Sequence, residues 1–201
     1  MANRSYLYSS NLVPSPEANE GEGRMNGISE WNYDIPIAFK ILLSANPRKC
    51  RSSIWEVPEE IAIAGDYDPG VDRLFRFLDR IALPEIKSLK DEARQFLTAD
   101  ANKNRYFVLE CGEIFEMDDE PLVEQNDRLL AEIRNIEPAM EAAIAQFSPT
   151  KPSEARSGGF FSRLLGSKSL ASEKTIPPDA IHSLGLGNWS NILYFDLRKP
   201  Q

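Results

Sequence analysis

The sequence predicts an α+β fold, with a mixed α/β arrangement as its variant: one domain with a central sheet, helices packed on it and a flexible segment before the last strand. Three observations predict it. Residues 4–9 alternate at period two around Tyr6 and Tyr8, residues 106–109 form a short apolar run of β type, and the segments between them place apolar residues three and four apart. At 201 residues, 42% of them hydrophobic, the chain can bury one core of ordinary size.

Each element has its own reason. The first strand is expected over residues 4–9. Residues 11–27, with two Pro and three Gly, read as a long loop. Residues 36–45 are a compact apolar helix, opened by Pro36, stopped by Asn46-Pro47, and apolar on so many sides that it must lie deep in the core. Residues 54–57 and 61–64 are short β-type runs separated by Pro58-Glu59-Glu60, readable as two strands or one interrupted edge. A turn over residues 66–70 leads into a helix with Val71, Leu74, Phe75, Leu78 and Ile81 on one face.

Pro84 restarts the chain into a helix that turns Ile86, Leu89, Ala93 and Phe96 inward. Residues 106–109 are the clearest central strand, and Ile114-Phe115 is expected to continue or answer it after Gly112. Leu129, Ile133, Ile136, Met140, Ile144 and Phe147 keep helical spacing, so residues 121–147 read as one long helix or two, broken at Glu137 by Pro138. The expected organisation is therefore a body over 1–147, a flexible linker over 148–174 carrying a short apolar and basic segment at 158–168, and residues 175–201. Within these last residues, 189–197 are predicted to form a strand that returns to the body sheet.

Charge is the most uneven property of the chain. Between residues 110 and 141 stand eleven acidic side chains and two arginines, a local net of −9 against −8 for the whole protein. Such a field attracts basic proteins and repels nucleic acid, so a basic protein partner is expected and nucleic acid is not. Glu113, Glu116, Asp118, Asp119, Glu120, Glu124 and Asp127 are the partner-binding candidates, expected to face outward as one continuous electronegative wall. Residues 151–201 are mildly basic, net +3, and can lie against the acidic body.

Most motifs that would carry chemistry are incomplete in this sequence. His182 is the single histidine, too few for the common zinc sites or a histidine-dependent triad except as a lone base. Asp66, Asp68, Gly70 and Asp72 suggest a calcium loop, but the sixth and twelfth positions are Val71 and Phe77, so helix capping by Asp66 or Asp68 is the better reading. Gly185 and Gly187 lack the third glycine and the following helix of a dinucleotide fingerprint. No catalytic residue, metal or cofactor is assigned. Cys50 and Cys111 read as ordinary buried thiols, and with no apolar run long enough for a signal core or a membrane span, a cytoplasmic protein is expected.

The opening residues 1–9, Met-Ala-Asn-Arg-Ser-Tyr-Leu-Tyr-Ser, together with Ile35-Pro36-Ile37-Ala38 and Ile61-Ala62-Ile63-Ala64-Gly65-Asp66-Tyr67, resemble an uncharacterised bacterial protein family that begins with nearly this nonapeptide. The resemblance covers the first 80 residues and the run at 106–109, and it implies no active site. By analogy of type, small acidic bacterial proteins of this kind look like immunity proteins. The expected function is a binding protein that neutralises or regulates a basic partner, foremost an immunity protein against a bacterial toxin. Two alternatives stand beside it. One is an enzyme using Asp or Glu carboxylates in a pocket lined by Tyr67, Trp55 or Tyr106; the other is a structural or scaffold subunit that forms a stable homo-oligomer.

Overall fold

A computed structural model describes residues 3–15, 24–147 and 178–198. The chain begins with an antiparallel pair, β1 (Arg4–Ser10) and β2 (Met25–Asn32), followed by α1 (Ile37–Leu43), β3 (Arg48–Cys50) and β4 (Ala62–Asp66). Then come α2 (Tyr67–Asp79), a 3-10 turn (Pro84–Ile86), α3 (Lys87–Leu97) and β5 (Tyr106–Glu110). The remaining elements are α4 (Gly112–Phe115), α5 (Leu122–Arg134), α6 (Glu137–Phe147) and α7 (Pro178–His182).

The five strands form one sheet in the order β2-β1-β5-β4-β3, every neighbour antiparallel. This is a mixed α/β single domain with a central sheet and packed helices, as the patterning requires. Register fixes two faces. Leu7, Leu109 and Ile63 are aligned across β1, β5 and β4, and they join the core with Phe39, Leu42, Phe77, Leu97, Ile133 and Met140 from the helices. One residue along each strand the side chains reverse. Tyr6, Glu110, Ala62 and Cys50 then make one row, and Tyr8, Val108, Ala64 and Arg48 the next, on a second face with its own smaller apolar cluster.

Most helices sit where periodicity puts them, and the α5–α6 break falls at residues 135–136, just ahead of Glu137 and Pro138. Other elements differ for physical reasons. The loop expected over 11–27 gives way to β2 at Met25. That strand is polar and carries Gly27 because Asn191 and Leu193 press on the Gly27 backbone, leaving no room for a Cβ. Residues 54–57 form no strand: the Ser52 hydroxyl accepts the Ile54 and Trp55 amides at 3.0 and 2.9 Å, folding the chain into a turn. Ile114-Phe115 belongs to α4, which carries Phe115 into the helical core. The helix expected after residue 70 begins at Tyr67. Asp66 occupies its N-cap without a side-chain cap bond, because its carboxylate is held by Asn46 and Arg48.

The strand predicted at 189–197 does not form. Only Trp189 bridges β2, at Ser29, and the following residues carry no strand pairing. Burial nevertheless alternates: Leu193 is buried and Phe195 and Leu197 half-buried, whereas Ile192, Tyr194, Asp196 and Arg198 are exposed. The period-two pattern was a true sign of extended chain. It lies flat across the second face of the sheet, where its apolar residues meet Tyr6, Tyr8 and Met25, instead of lengthening the sheet at its edge. The expected segment at 158–168 lies outside the described residues.

Candidate functional site

The acidic run does not make one wall. Its first member, Glu110, faces inward at the end of β5 and is 2% exposed. Glu113 is half-buried, and its Oε2 accepts the backbone N–H of Arg4 at 2.8 Å. Glu120 is clamped by the Arg128 guanidinium, which holds its carboxyl below the usual range. Asp127 pairs with Lys49 at 2.7 Å, Glu132 with Lys40 at 2.8 Å, Glu137 with Arg73, and Glu141 with Arg80 at 2.7 Å. The expectation of a continuous electronegative wall is thus corrected. Its charges were counted against two local arginines, while the fold brings cations from α1, β3 and α2 to the faces of α5 and α6.

Of the seven partner-binding candidates, Glu113, Glu120 and Asp127 are engaged by the protein itself. Glu116, Asp118, Asp119 and Glu124 remain exposed and form no close ion pair among the described residues, although Asp118 is near enough to Arg128 to help hold its guanidinium charged. Glu116, Asp118 and Asp119 adjoin Met117, 53% exposed, in the stretch between α4 and α5, and Glu124 follows in the first turn of α5. Four exposed carboxylates within nine residues, with an adaptable thioether among them, leave this stretch acidic with one apolar side chain on it.

A second constellation, which sequence reasoning missed, lies under the second face of the sheet. Glu110 accepts from Ser52 Oγ and from the Ser53 backbone N–H, each at 2.7 Å. These two bonds favour the ionised form, but burial outweighs them and pushes the carboxyl up to about 7. Across the strands stand Tyr6 and Ala62, and burial also raises the Tyr6 and Tyr8 phenols and the thiols of Cys50 and Cys111. The Tyr6 hydroxyl stands beside Glu113 and Arg4 without a well-formed hydrogen bond. The sequence did hold one signal: Glu110 is two residues beyond Val108 in a central strand, so strand parity alone turns it toward the same covered face.

The three aromatic residues named for an enzymatic pocket are dispersed. Tyr67 stacks on Phe107 at 4.1 Å and donates to the Leu97 carbonyl. Trp55 packs on the second face against Phe195, and Tyr106 lies between Arg48 and Arg105. A cleft of about 320 Å³ does border Tyr67, with Asp68, Asp72, Thr98 and Lys103 on its walls, but its Asp68 is paired to Lys103 at 3.0 Å. His182 ends α7 against Trp31, ring centroids 4.5 Å apart. Among the described residues no group of three His, Cys, Asp or Glu side chains is placed to hold a metal ion, and no helix is long and apolar enough to cross a membrane.

Comparison with known proteins adds a family and no assigned chemistry. No curated protein and no solved structure matches the chain. The model of a domain of unknown function, DUF7822, matches residues 11–150, which span everything from β2 to α6, and the chain belongs to that family.

Proposed function

We propose that the protein binds a basic protein partner and neutralises or regulates it, with an immunity protein against a bacterial toxin as the leading form. The observation that carries this reading is the corner at Glu116, Asp118, Asp119 and Glu124, four exposed carboxylates with no close ion pair among the described residues, three of them adjoining the exposed Met117. Elsewhere in the acidic run the protein's own cations already cancel the field. A corner of this kind steers a positively charged surface into encounter, and Met117 supplies apolar contact once the two meet. We put the protein in the cytoplasm, a setting that suits two buried free cysteines.

The enzymatic alternative draws on Glu110, whose raised pKa is of the kind that catalytic carboxyls show. That carboxyl is sealed, so the binding reading is preferred. Pull-down from the native cell with the full chain, and with a variant carrying Glu116→Gln, Asp118→Asn, Asp119→Asn and Glu124→Gln, tests the proposal. A basic protein retained by the first and lost by the second is the expected result. Equal retention by both, or capture of acidic proteins alone, rejects it.

A further inference from the structure

Asn26-Gly27 is the chain's single Asn-Gly pair, a sequence that ordinarily marks a tight turn, yet it lies inside β2. The fold needs both residues there. Gly27 is required because Leu193 Cγ and the Asn191 carbonyl oxygen stand 2.8 and 2.9 Å from where a Cβ would be. Asn26 is buried, and its Nδ2 donates to the Ala101 carbonyl at 2.8 Å, tying β2 to the turn ahead of β5. The backbone of the pair is held as well. Asn26 stands opposite Ser9 and Gly27 opposite Tyr8 in the pairing with β1, and the Gly27 carbonyl accepts Asn191 Nδ2 at 2.9 Å.

Asn-Gly is also the dipeptide most open to spontaneous deamidation, because glycine sets no side chain in the way of the attacking amide. We propose that Asn26 is a covalent modification site which the closed β2 edge holds unreactive, and that its deamidation, once it occurs, stops the edge from closing again. In that reaction the Gly27 amide nitrogen bonds to Asn26 Cγ as the Cγ–Nδ2 bond breaks, and Nδ2 leaves as ammonia with the proton lost by the Gly27 amide. Water then opens the five-membered imide, at Cγ to give an aspartyl residue or at the main-chain carbonyl to give an isoaspartyl one. Ring closure requires Asn26 to turn away from the extended backbone of a strand, and the pairing with β1 resists that turn.

Residues 188–193 reinforce this protection from outside. Ser29 Oγ donates to the Asn188 carbonyl at 2.9 Å, the Ser190 amide to the Ile28 carbonyl at 3.0 Å, and Asn191 Nδ2 to Asn102 Oδ1 at 2.6 Å, while Leu193 is buried over Gly27. So many fastenings make opening rare, and the reaction then runs at the rate of the open chain multiplied by the fraction of time the edge is open. The products do not fit the closed edge. A carboxylate at position 26 has no N–H for the Ala101 carbonyl and sets oxygen against oxygen in a buried place. An isoaspartyl residue puts an extra carbon into the main chain between Met25 and Gly27, so the two sides of β2 no longer keep one register with β1.

Mass spectrometry of the full chain tests this, following the mass gained as an amide becomes an acid in the tryptic peptide spanning residues 25–40. In mildly alkaline buffer the folded chain should react roughly 10²-fold or more slowly than the chain unfolded in urea. Leu193→Ala, which uncovers Gly27, should speed the folded-state reaction about tenfold or more. Asn26→Gln, whose longer side chain closes its ring poorly, should remove the gain, and Asn26→Asp, a stand-in for one product, should unfold at lower urea than the parent. Equal rates in the folded and unfolded chain, a gain undiminished in Asn26→Gln, a Leu193→Ala rate like the parent's, or an Asn26→Asp midpoint at or above the parent's overturns the proposal.

Discussion

Residues 116–124 and residues 127–141 are both acidic in sequence, yet the fold treats them differently. Asp127, Glu132, Glu137 and Glu141 each form a close ion pair with a lysine or arginine from elsewhere in the fold, whereas Glu116, Asp118, Asp119 and Glu124 form none among the described residues, Asp118 feeling Arg128 only at longer range. A carboxylate beside a cation contributes little to the field a partner senses; an uncompensated one contributes nearly all of its charge, out to about a Debye length. Counting acids along the chain therefore overstates the charged surface. The useful quantity is the acid left after the fold has supplied its own counter-ions.

Neutralising the corner should show the largest effect. The variant with Glu116→Gln, Asp118→Asn, Asp119→Asn and Glu124→Gln is expected to bind the basic partner roughly tenfold more slowly at low salt. Neutralising Asp127, Glu132 and Glu137 changes net charge by a similar amount but farther from the docking point, so a rate change below about twofold is expected at 0.1 M salt. Stopped-flow association kinetics on both variants would break the comparison if the second proved as slow as the first.

Stability sharpens the contrast between the surface carboxylates and the buried one. Glu110 has a folded pKa near 7, above its ordinary 4.5, so the folded state binds the extra proton between these values. Stability is full below pH 4.5, declines as pH rises to about 7 and is flat above, a loss on the order of 3 kcal/mol at most. Urea unfolding at pH 4.5 and pH 8 checks this, and Glu110→Gln should flatten the dependence. The paired surface carboxylates Glu120 and Glu141 are shifted the other way, so they titrate below this window.

A smaller loss, about 1–3 kcal/mol, is expected for Gly112→Ala, because a methyl group there displaces the Trp55 indole. Thermal unfolding measures it, and a neutral result would mean that the turn at 51–57 adjusts freely. Smallest of all, Lys40→Ala should cost under about 1 kcal/mol, since its partner Glu132 is half in solvent.

Much of the fold was legible because strong patterns follow simple geometry. The β5 run, the apolar α1, the one-sided α2 and the proline near the α5–α6 break all declared themselves. β2 and β3 did not: one is a polar edge strand built around Gly27 and the other has three residues, too few for a period. The 191–197 alternation was readable as extended chain, but whether such a chain joins a sheet edge or lies on its face depends on tertiary neighbours such as Tyr8 and Trp55. For the candidate site, the exposed corner was within the predicted set. The loss of Glu113, Glu120 and Asp127 from it, and the burial of Glu110, depend on Arg4, Arg128, Lys49 and Ser52, three of them distant in sequence, and no local count reveals such partners.

The proposal stands or falls on the salt dependence of association between the protein and the basic partner it retains. From about 0.05 to 0.5 M salt, the parent's association rate should fall steeply and converge on that of the four-site corner variant as the Debye length shrinks. A parent rate that does not change with salt, or a corner variant that associates as fast as the parent at 0.05 M, would contradict steering by Glu116, Asp118, Asp119 and Glu124.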